Sequence, residues 1–297
     1  MDSELLRYGA MKRTICMAAL AAALLIGGRA EAFTASGFQG PYGVVVDPKT
    51  GFIYVSNVNG QPAGRDDNGF ISRLKGDGTV DQLRFIDGAS PDISLHAPKG
   101  MAIRENLLYV ADIDKLQAFD LGSGRHLFDV NFGDLPVQHF YGVFHAPDDS
   151  LYLSDGPAST VWRIDVPRMH EVTTFASGPE LGQPHGVTWC PARQLFMIAG
   201  WSSGQVLAFD RTGKRQPLPS ISVRTLEGIA ADDSGNLYLT SSQLSGVYRV
   251  SANFVLFSFA LGQAAPAGVA FNAATGEIVF ANFDGNTVLS YPVPAKQ

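Results

Sequence analysis

The sequence predicts an all-β fold, a six-bladed β-propeller with four antiparallel strands in each blade. Three observations predict it: a phrase repeated six times, the spacing of the repeats, and the lack of helical periodicity. The phrase is a glycine with a short apolar run, a turn, and a second apolar run that ends in a small residue. Its glycines are Gly43, Gly100, Gly142, Gly186, Gly228 and Gly268. They are 57, 42, 44, 42 and 40 residues apart, and a period of about 40–45 residues with several short strands is typical of a propeller.

Each repeat supplies two strong strands and a third, as residues 43–46, 54–57 and 70–74 show for the first copy. In the third strands, β-branched and aromatic residues alternate with Arg, Ser or Gln, which is typical of strands nearer the outside. The second strands carry a small residue at one equivalent position. This is expected because the blades converge on a central axis, where there is little space for side chains. These residues are Ser56, Ala111, Ser154, Ala199, Thr240 and Ala281.

The last repeat has only three strands before the sequence Tyr-Pro-Val-Pro at 291–294. Proline cannot continue a ladder of hydrogen bonds, so the fourth strand must come from elsewhere. Residues 33–38 belong to no repeat. We therefore predict that this N-terminal segment completes the sixth blade and closes the ring.

Residues 1–32 are predicted to form a secretory signal peptide that is removed before Phe33. Lys12 and Arg13 form a short basic start, residues 15–26 are apolar, and Ala30-Glu31-Ala32 fits a small-x-small cleavage site. The remaining chain, 33–297, is predicted to be a single propeller domain. It is expected in the periplasm or outside the cell, with no membrane span after cleavage.

The composition limits the classes of partner that the protein is expected to bind. The chain has 22 Lys and Arg against 28 Asp and Glu, a net charge of −6, and it has no basic run with interleaved aromatic residues. Nucleic acid is therefore not expected as a partner. Of the two cysteines, Cys16 lies in the leader, which leaves Cys190 without an intramolecular disulfide and best interpreted as a small packed side chain.

The repeat also predicts where a site lies. In a propeller blade, the loop entering the first strand and the loop leaving the second lie on the same face, so two rings of residues surround one mouth of the central channel. The entry ring comprises Tyr42, Lys99, Tyr141, His185, Glu227 and Ala267. The exit ring comprises Asn57, Asp112, Asp155, Gly200, Ser241 and Asn282.

His185 and Glu227 stand in neighbouring blades and are the candidate catalytic pair, because imidazole has the unperturbed pKa of about 6.5 that suits a general acid or base. With Asp155 they are also candidate ligands of a divalent metal ion such as Ca²⁺, Zn²⁺ or Mn²⁺. The alternative is that these side chains only hydrogen-bond to one another and fill part of a water-containing channel.

The candidate substrate contacts are Tyr42, Lys99 and Tyr141 of the entry ring, with Asn57 and Asp112 of the exit ring. For Asp112, as for Asp155, the alternative is a structural role, because Asp at a strand end commonly caps the following turn.

The first repeat is longer than the others, and its excess includes the polar segment 57–69. Long polar loops on a rigid scaffold are often functional. This loop and the segment 87–96 are predicted to lie on the face of the two rings, where they could cover the channel mouth.

The segment 98–120, with Pro-Lys-Gly at its start and Leu-Tyr-Val-Ala-Asp inside it, resembles the NHL repeat and the six-bladed superfamily that includes the SMP-30/gluconolactonase proteins. The resemblance covers residues 38–291. It implies a divalent metal ion in the channel, with Tyr42, His185 and Glu227 at the ligand positions and Tyr141 at a substrate contact. Of these, only Glu227 keeps the carboxylate that the family uses.

The sequence thus predicts an exported propeller whose channel mouth binds a small organic ligand, such as a lactone or sugar derivative. A divalent-metal-dependent, lactonase-like hydrolase is the first hypothesis. A propeller that binds a ligand without turnover, or that binds a protein partner, is the alternative. The sequence contains no nucleophile elbow, phosphate-binding glycine loop or His-Glu-x-x-His motif.

Overall fold

A computed structural model describes residues 31–294, so residues 1–30 of the predicted signal peptide lie outside the described chain. Six antiparallel sheets of four strands each form a propeller, as predicted. The helical elements within 31–294 are two short 3₁₀ turns, Val166–Arg168 and Pro179–Leu181. No helix in this range is long and apolar enough to cross a membrane.

The first three blades follow the chain from the innermost strand outward. Blade 1 contains β2 (Pro41–Val46), β3 (Ile53–Asn57), β4 (Phe70–Leu74) and β5 (Val80–Asp87). Blade 2 contains β6 (Pro98–Arg104), β7 (Leu107–Asp112), β8 (Lys115–Asp120) and β9 (His126–Asp129). Blade 3 contains β10 (Phe140–His145), β11 (Ser150–Asp155), β12 (Thr160–Asp165) and β13 (Glu171–Ser177).

The other three blades repeat this order. Blade 4 contains β14 (Pro184–Cys190), β15 (Leu195–Gly200), β16 (Val206–Phe209) and β17 (Arg215–Gln216). Blade 5 contains β18 (Leu226–Ala231), β19 (Leu237–Ser241), β20 (Gly246–Val250) and β21 (Leu256–Leu261). Blade 6 contains β22 (Pro266–Asn272), β23 (Glu277–Asn282), β24 (Thr287–Pro292) and β1 (Phe33–Ser36).

The ring closes through blade 6, where the N-terminal strand β1 pairs antiparallel with β24. Ala35 lies opposite Val288 in this ladder, and both Ala35 and Phe38 are buried in the core between blades 6 and 1. The prediction that residues 33–38 complete the sixth blade is therefore confirmed. Pairing of the two ends covers strand edges that would otherwise be exposed.

The repeat glycines allow the innermost strands of neighbouring blades to approach closely at the axis. A Cβ added at Gly43 would lie 2.0 Å from the carbonyl oxygen of Lys99, and one at Gly100 would lie 2.4 Å from that of Tyr141. No side chain fits at these distances, so the glycine of each repeat is needed for packing between blades.

Each innermost strand also has a shift of register where it passes from the entry-ring residue to the strand proper. In blade 1 this shift lies between Pro41 and Val44, which brackets Tyr42. Such bulges bend a strand and change the direction of a side chain. Their position in all six blades explains why the entry-ring side chains converge on one cavity.

Candidate functional site

One cavity of about 290 Å³ lies at the predicted mouth of the channel. All six entry-ring residues line it. Its volume is near the lower end of the range of about 300–1,000 Å³ that is usual for small-molecule sites. The structure therefore brings Tyr42, Lys99, Tyr141, His185 and Glu227 together, as the repeat predicts.

Glu227 is the centre of the polar network in this cavity. Its Oε1 accepts hydrogen bonds from Trp201 Nε1 at 3.0 Å and Ser242 Oγ at 2.8 Å. Its Oε2 accepts one from Tyr42 Oη at 3.1 Å and lies 3.0 Å from His185 Nδ1. Burial alone would raise the pKa of this carboxyl, but the hydrogen bonds from His185, Ser242 and Trp201 lower it, so Glu227 is ionised.

Two aromatic neighbours fix the plane of the His185 ring. Its ring is stacked on Tyr141, with centroids 3.6 Å apart, and lies near Trp201 at 5.6 Å. Burial lowers the pKa of the imidazole and outweighs the opposite effect of Glu227. The neutral ring then donates from Nδ1 to Glu227, and within the described chain no side chain or backbone group pairs with Nε2.

Lys99 places a buried positive charge in the cavity wall. It is 0% exposed, and its Nζ lies 2.7 Å from the Pro62 carbonyl oxygen, 3.3 Å from that of Ala97 and 2.8 Å from Nε2 of His139. Burial lowers the pKa of Lys99 to about 8. Burial and the charge of Lys99 lower the pKa of His139 to about 4, so His139 is the neutral acceptor of this bond.

Two tyrosines stand on either side of Lys99 in the ring. Nζ of Lys99 lies 5.4 Å from the ring centroid of Tyr141 and 6.0 Å from that of Tyr42, within the range of cation–π interaction. Burial and the nearby Glu227 charge raise the pKa of both phenols, so both stay protonated.

The exit-ring candidates do not join this cavity. Asp112 accepts hydrogen bonds from the backbone N–H groups of His96 and Ala97, and Asp155 accepts them from those of Gln138 and His139. These carboxylates have a structural role, since they fix the loops that enter blades 2 and 3. Asp155 also accepts a hydrogen bond from the Ala158 N–H of the following turn, the role that the alternative named.

Asn57 has the same role in blade 1. Its Oδ1 accepts a hydrogen bond from the Gln39 N–H, and its Nδ2 donates to Ser72 Oγ. The structure therefore does not place Asn57 or Asp112 as cavity contacts, nor Asp155 beside His185 and Glu227.

The residue one position after the exit ring faces the channel instead, because successive side chains of a strand point to opposite sides. Gly156, Trp201, Ser242 and Phe283 occupy this position in blades 3 to 6, and all four line the cavity. For this reason Trp201, Ser242 and Phe283 are not among the site residues predicted from the repeat. The repeat does contain this information, because the three residues each stand one position after an exit-ring residue.

The long loop of the first repeat reaches the cavity, as predicted. Pro62 lines it and accepts the hydrogen bond from Lys99. The loop is tied down by an ion pair between Arg65 and Asp114 at 2.7 Å. Asp67 contacts His96 of the segment 87–96, so the two predicted loops do lie on one face.

The side chains of this cavity do not fit a divalent metal ion. An ionised carboxylate has about four lone-pair positions, and those of Glu227 are taken by its four partners. Nδ1 of His185 faces Glu227, and the ammonium of Lys99 lies in the same wall. Within residues 31–294 there is no group of three or more His, Cys, Asp or Glu side chains that could hold a metal ion.

No protein-family model matches the sequence, and no curated protein matches it at a significant level. Solved structures do resemble the fold. Virginiamycin B lyase from Staphylococcus aureus superposes with a TM-score of 0.64 at 14% identity, over 88% of this chain and 99% of the other.

A gluconolactonase from Xanthomonas campestris gives a TM-score of 0.68 at 16% identity, over 89% of both chains. A further protein described as a putative gluconolactonase gives 0.66 at 14% identity, over 88% of this chain and 91% of the other. The expected resemblance to gluconolactonase-like six-bladed propellers is thus confirmed for the fold. At these identities the likeness concerns architecture and not activity.

Proposed function

We propose that the cavity at the channel mouth binds a small cyclic ester and that His185, oriented by Glu227, is the general base for its hydrolysis. The observation that carries this proposal is the arrangement of His185. Its Nδ1 is held by an ionised carboxylate at 3.0 Å, while its Nε2 has no partner among the described residues. The lactone class is supported by the structural resemblance to gluconolactonases.

The side chains support the following steps. Nε2 of His185 takes a proton from a water molecule as the water oxygen bonds to the ester carbonyl carbon. The Glu227 carboxylate stabilises the imidazolium, and the positive charge of Lys99 stabilises the oxyanion that develops on the carbonyl oxygen. When the bond between this carbon and the ring oxygen breaks, the leaving oxygen takes the proton from Nε2, and a hydroxy acid results.

This proposal needs no metal ion, which distinguishes it from the first hypothesis drawn from the sequence. The fixed ammonium of Lys99 supplies the positive charge that a metal ion would supply in a metal-dependent lactonase.

Binding without turnover remains the second candidate, and one observation favours it. Lys99, Tyr42, Trp201 and Ser242 already direct their N–H and O–H groups to protein partners. A site with satisfied polar groups and aromatic walls suits a ligand that is held and released unchanged.

The test is hydrolysis of a panel of five- and six-membered lactones by protein dialysed against a chelator. The variant is His185→Gln, and the control is His126→Gln. His126 forms a matched histidine–carboxylate pair with Asp129 at 2.8 Å on the outer strand β9.

We expect chelated wild type to hydrolyse at least one lactone, His185→Gln to lose about 100-fold or more in kcat/KM, and His126→Gln to be unchanged. Binding without hydrolysis would favour the second candidate. Activity that disappears on chelation and returns with Ca²⁺, Zn²⁺ or Mn²⁺ would overturn the metal-free mechanism.

We also propose that the protein is exported to the periplasm or medium after cleavage behind Ala32, on the basis of the basic start, apolar run and small-x-small site of the leader. N-terminal sequencing of the secreted protein is the test. A start at Phe33 supports cleavage, whereas a start at Met1 or Met11 contradicts it.

A further inference from the structure

We infer that the ligand of this cavity carries an apolar substituent on its ring, lodged against blade 6, and is not a polyhydroxylated sugar lactone. This inference deepens the proposed function and rests on it for the position of the ester group. It is carried by two features of the cavity: few hydrogen-bonding groups are free, and one sector of the wall is wholly apolar.

The N–H and O–H groups around the cavity are largely taken by the protein itself. The ammonium of Lys99 has three protons and three acceptors within 3.3 Å. The hydroxyls of Tyr42 and Ser242 and the indole N–H of Trp201 all point to Glu227. Apart from the Tyr141 hydroxyl and the Gln183 amide, a ligand that needs donors must therefore break bonds that already exist.

The strongest acceptor is taken as well. Both carboxylate oxygens of Glu227 have two partners each, which leaves no lone pair for a ligand hydroxyl. Among the described side chains lining the cavity, those with no hydrogen bond to protein at a polar atom are Nε2 of His185, the hydroxyl of Tyr141 and the amide of Gln183. The first of these is the proposed base.

A sugar lactone such as glucono-1,5-lactone brings four hydroxyl groups, each of which is both a donor and an acceptor. Apart from the proposed base, the cavity offers them the Tyr141 hydroxyl and the Gln183 amide, so about half of the four hydroxyls stay without a protein partner. Each buried hydroxyl that loses its water without gaining a partner weakens binding by about tenfold. The polyol is therefore disfavoured by about 100-fold relative to a ring without hydroxyls.

The apolar sector belongs to blade 6 and its entry loop. Ala265, Ala267 and Phe283 line the cavity there. Ala267 is the one small member of the entry ring and lies between Glu227 and Tyr42, whose hydrogen bond spans this blade. Phe283 packs edge-on against Tyr42, with centroids 6.4 Å apart, and presents a fixed hydrocarbon surface.

A ligand with its ester carbonyl near Nε2 of His185 on blade 4 can place its ring substituent past Glu227 of blade 5 and against blade 6. Blade 6 is two blades away from blade 4, on the far side of Glu227. An alkyl or aryl group of a few carbon atoms would be removed from water at this wall, which favours binding by the hydrophobic effect.

The test compares two lactones with the same six-membered reactive ring, δ-decalactone and glucono-1,5-lactone. Binding is measured with His185→Gln from the change in tryptophan fluorescence, in which Trp201 is the tryptophan that lines the cavity, and turnover is measured with wild type. Phe283→Asn places an amide in the apolar sector, Phe283→Leu keeps it apolar, and Phe257→Asn is the matched control on the exposed outer strand β21.

We expect δ-decalactone to bind at least 100-fold more tightly than glucono-1,5-lactone. Phe283→Asn should reduce this preference by about tenfold, whereas Phe283→Leu and Phe257→Asn should retain it. If δ-decalactone binds with this preference but is not hydrolysed, the inference stands and the proposed hydrolysis fails. Equal or tighter binding of glucono-1,5-lactone, or no binding of δ-decalactone at millimolar concentration, would overturn the inference even if the protein hydrolyses other lactones.

Discussion

Nδ1 of His185 lies 3.0 Å from Oε2 of Glu227, and this bond joins the innermost strands of blades 4 and 5 at the channel mouth. Neither residue alone makes a site. Together they give a neutral imidazole of fixed tautomer beside an ionised carboxylate, in a wall that also holds the charge of Lys99. The predictions below follow from this contact and from the ring that supports it.

Glu227→Gln should reduce both stability and any turnover. A glutamine keeps one acceptor oxygen, so two of the four donors lose their partner and the amide N–H groups face donors. We expect a loss of about 3 kcal/mol in the free energy of unfolding, as is typical when a buried charged acceptor is removed. Urea unfolding measures it, with the exposed Glu171→Gln as the control. A variant as stable as wild type would contradict the network.

The pH dependence of kcat/KM should be bell-shaped. Burial lowers the pKa of His185 below 6.5, so activity should rise with pH on the acid side as the imidazole becomes neutral. It should fall again near pH 8, where Lys99 loses its proton. In Lys99→Met, kcat/KM should be lower and the descending limb near pH 8 should be absent. If that limb persists in the variant, Lys99 is not its source.

Stability should fall on mild acidification. The folded pKa of His139 is about 4, below the unfolded value of about 6.5. The unfolded chain therefore binds more protons between these values, and stability is lost as pH falls from about 6.5 to 4. The pKa of His185 is lowered in the same direction. His139→Gln should make thermal unfolding less sensitive to pH in this window, whereas an unchanged pH dependence in the variant would argue against this origin.

Gly43→Ala should destabilise the propeller strongly, because the new Cβ would lie 2.0 Å from the backbone carbonyl of Lys99. We expect a loss of about 3 kcal/mol or more. Gly122→Ala is the matched control, since its nearest atom would be a side-chain oxygen at 3.5 Å. Thermal unfolding of both variants decides the point, and equal effects would contradict the close packing at the axis.

Closure of the ring predicts a contrast between neighbouring residues of β1. Ala35 is buried against blade 1, whereas Ser36 is exposed. Ala35→Asp should cost about 3 kcal/mol because it buries a charge without a partner, and Ser36→Asp should cost less than about 0.5 kcal/mol. Similar midpoints of urea unfolding for the two variants would mean that β1 does not close the ring in solution.

The sequence allowed the six blades, the closing strand and the entry ring to be predicted, because each follows from the regular part of a repeat. The exit ring shows what the repeat could not predict. Asn57, Asp112 and Asp155 end their strands, but the side chain that faces the channel belongs to the next residue, and repeat spacing alone does not tell which side a residue faces.

Contacts between residues that are far apart in the sequence could not be predicted either. Lys99 is held by Pro62 from the long loop and by His139 from the next blade, and no local pattern joins these three. The expected metal ion was an inference from residue type. The structure shows that the Glu227 oxygens accept hydrogen bonds from His185 Nδ1 and from hydroxyl and indole groups, so they are not free to bind a metal ion.

His185 is expected to be a neutral base whose Nδ1 donates to Glu227 and whose Nε2 faces the cavity. Nitrogen-15 NMR of the histidine side chains at pH 7, with His185→Gln to assign the resonance, measures this directly. We expect a protonated Nδ1 and an unprotonated Nε2 for His185, retained in the presence of a chelator. A protonated Nε2 at pH 7, as imidazolium or as the other neutral tautomer, would contradict the role of His185 as a neutral base.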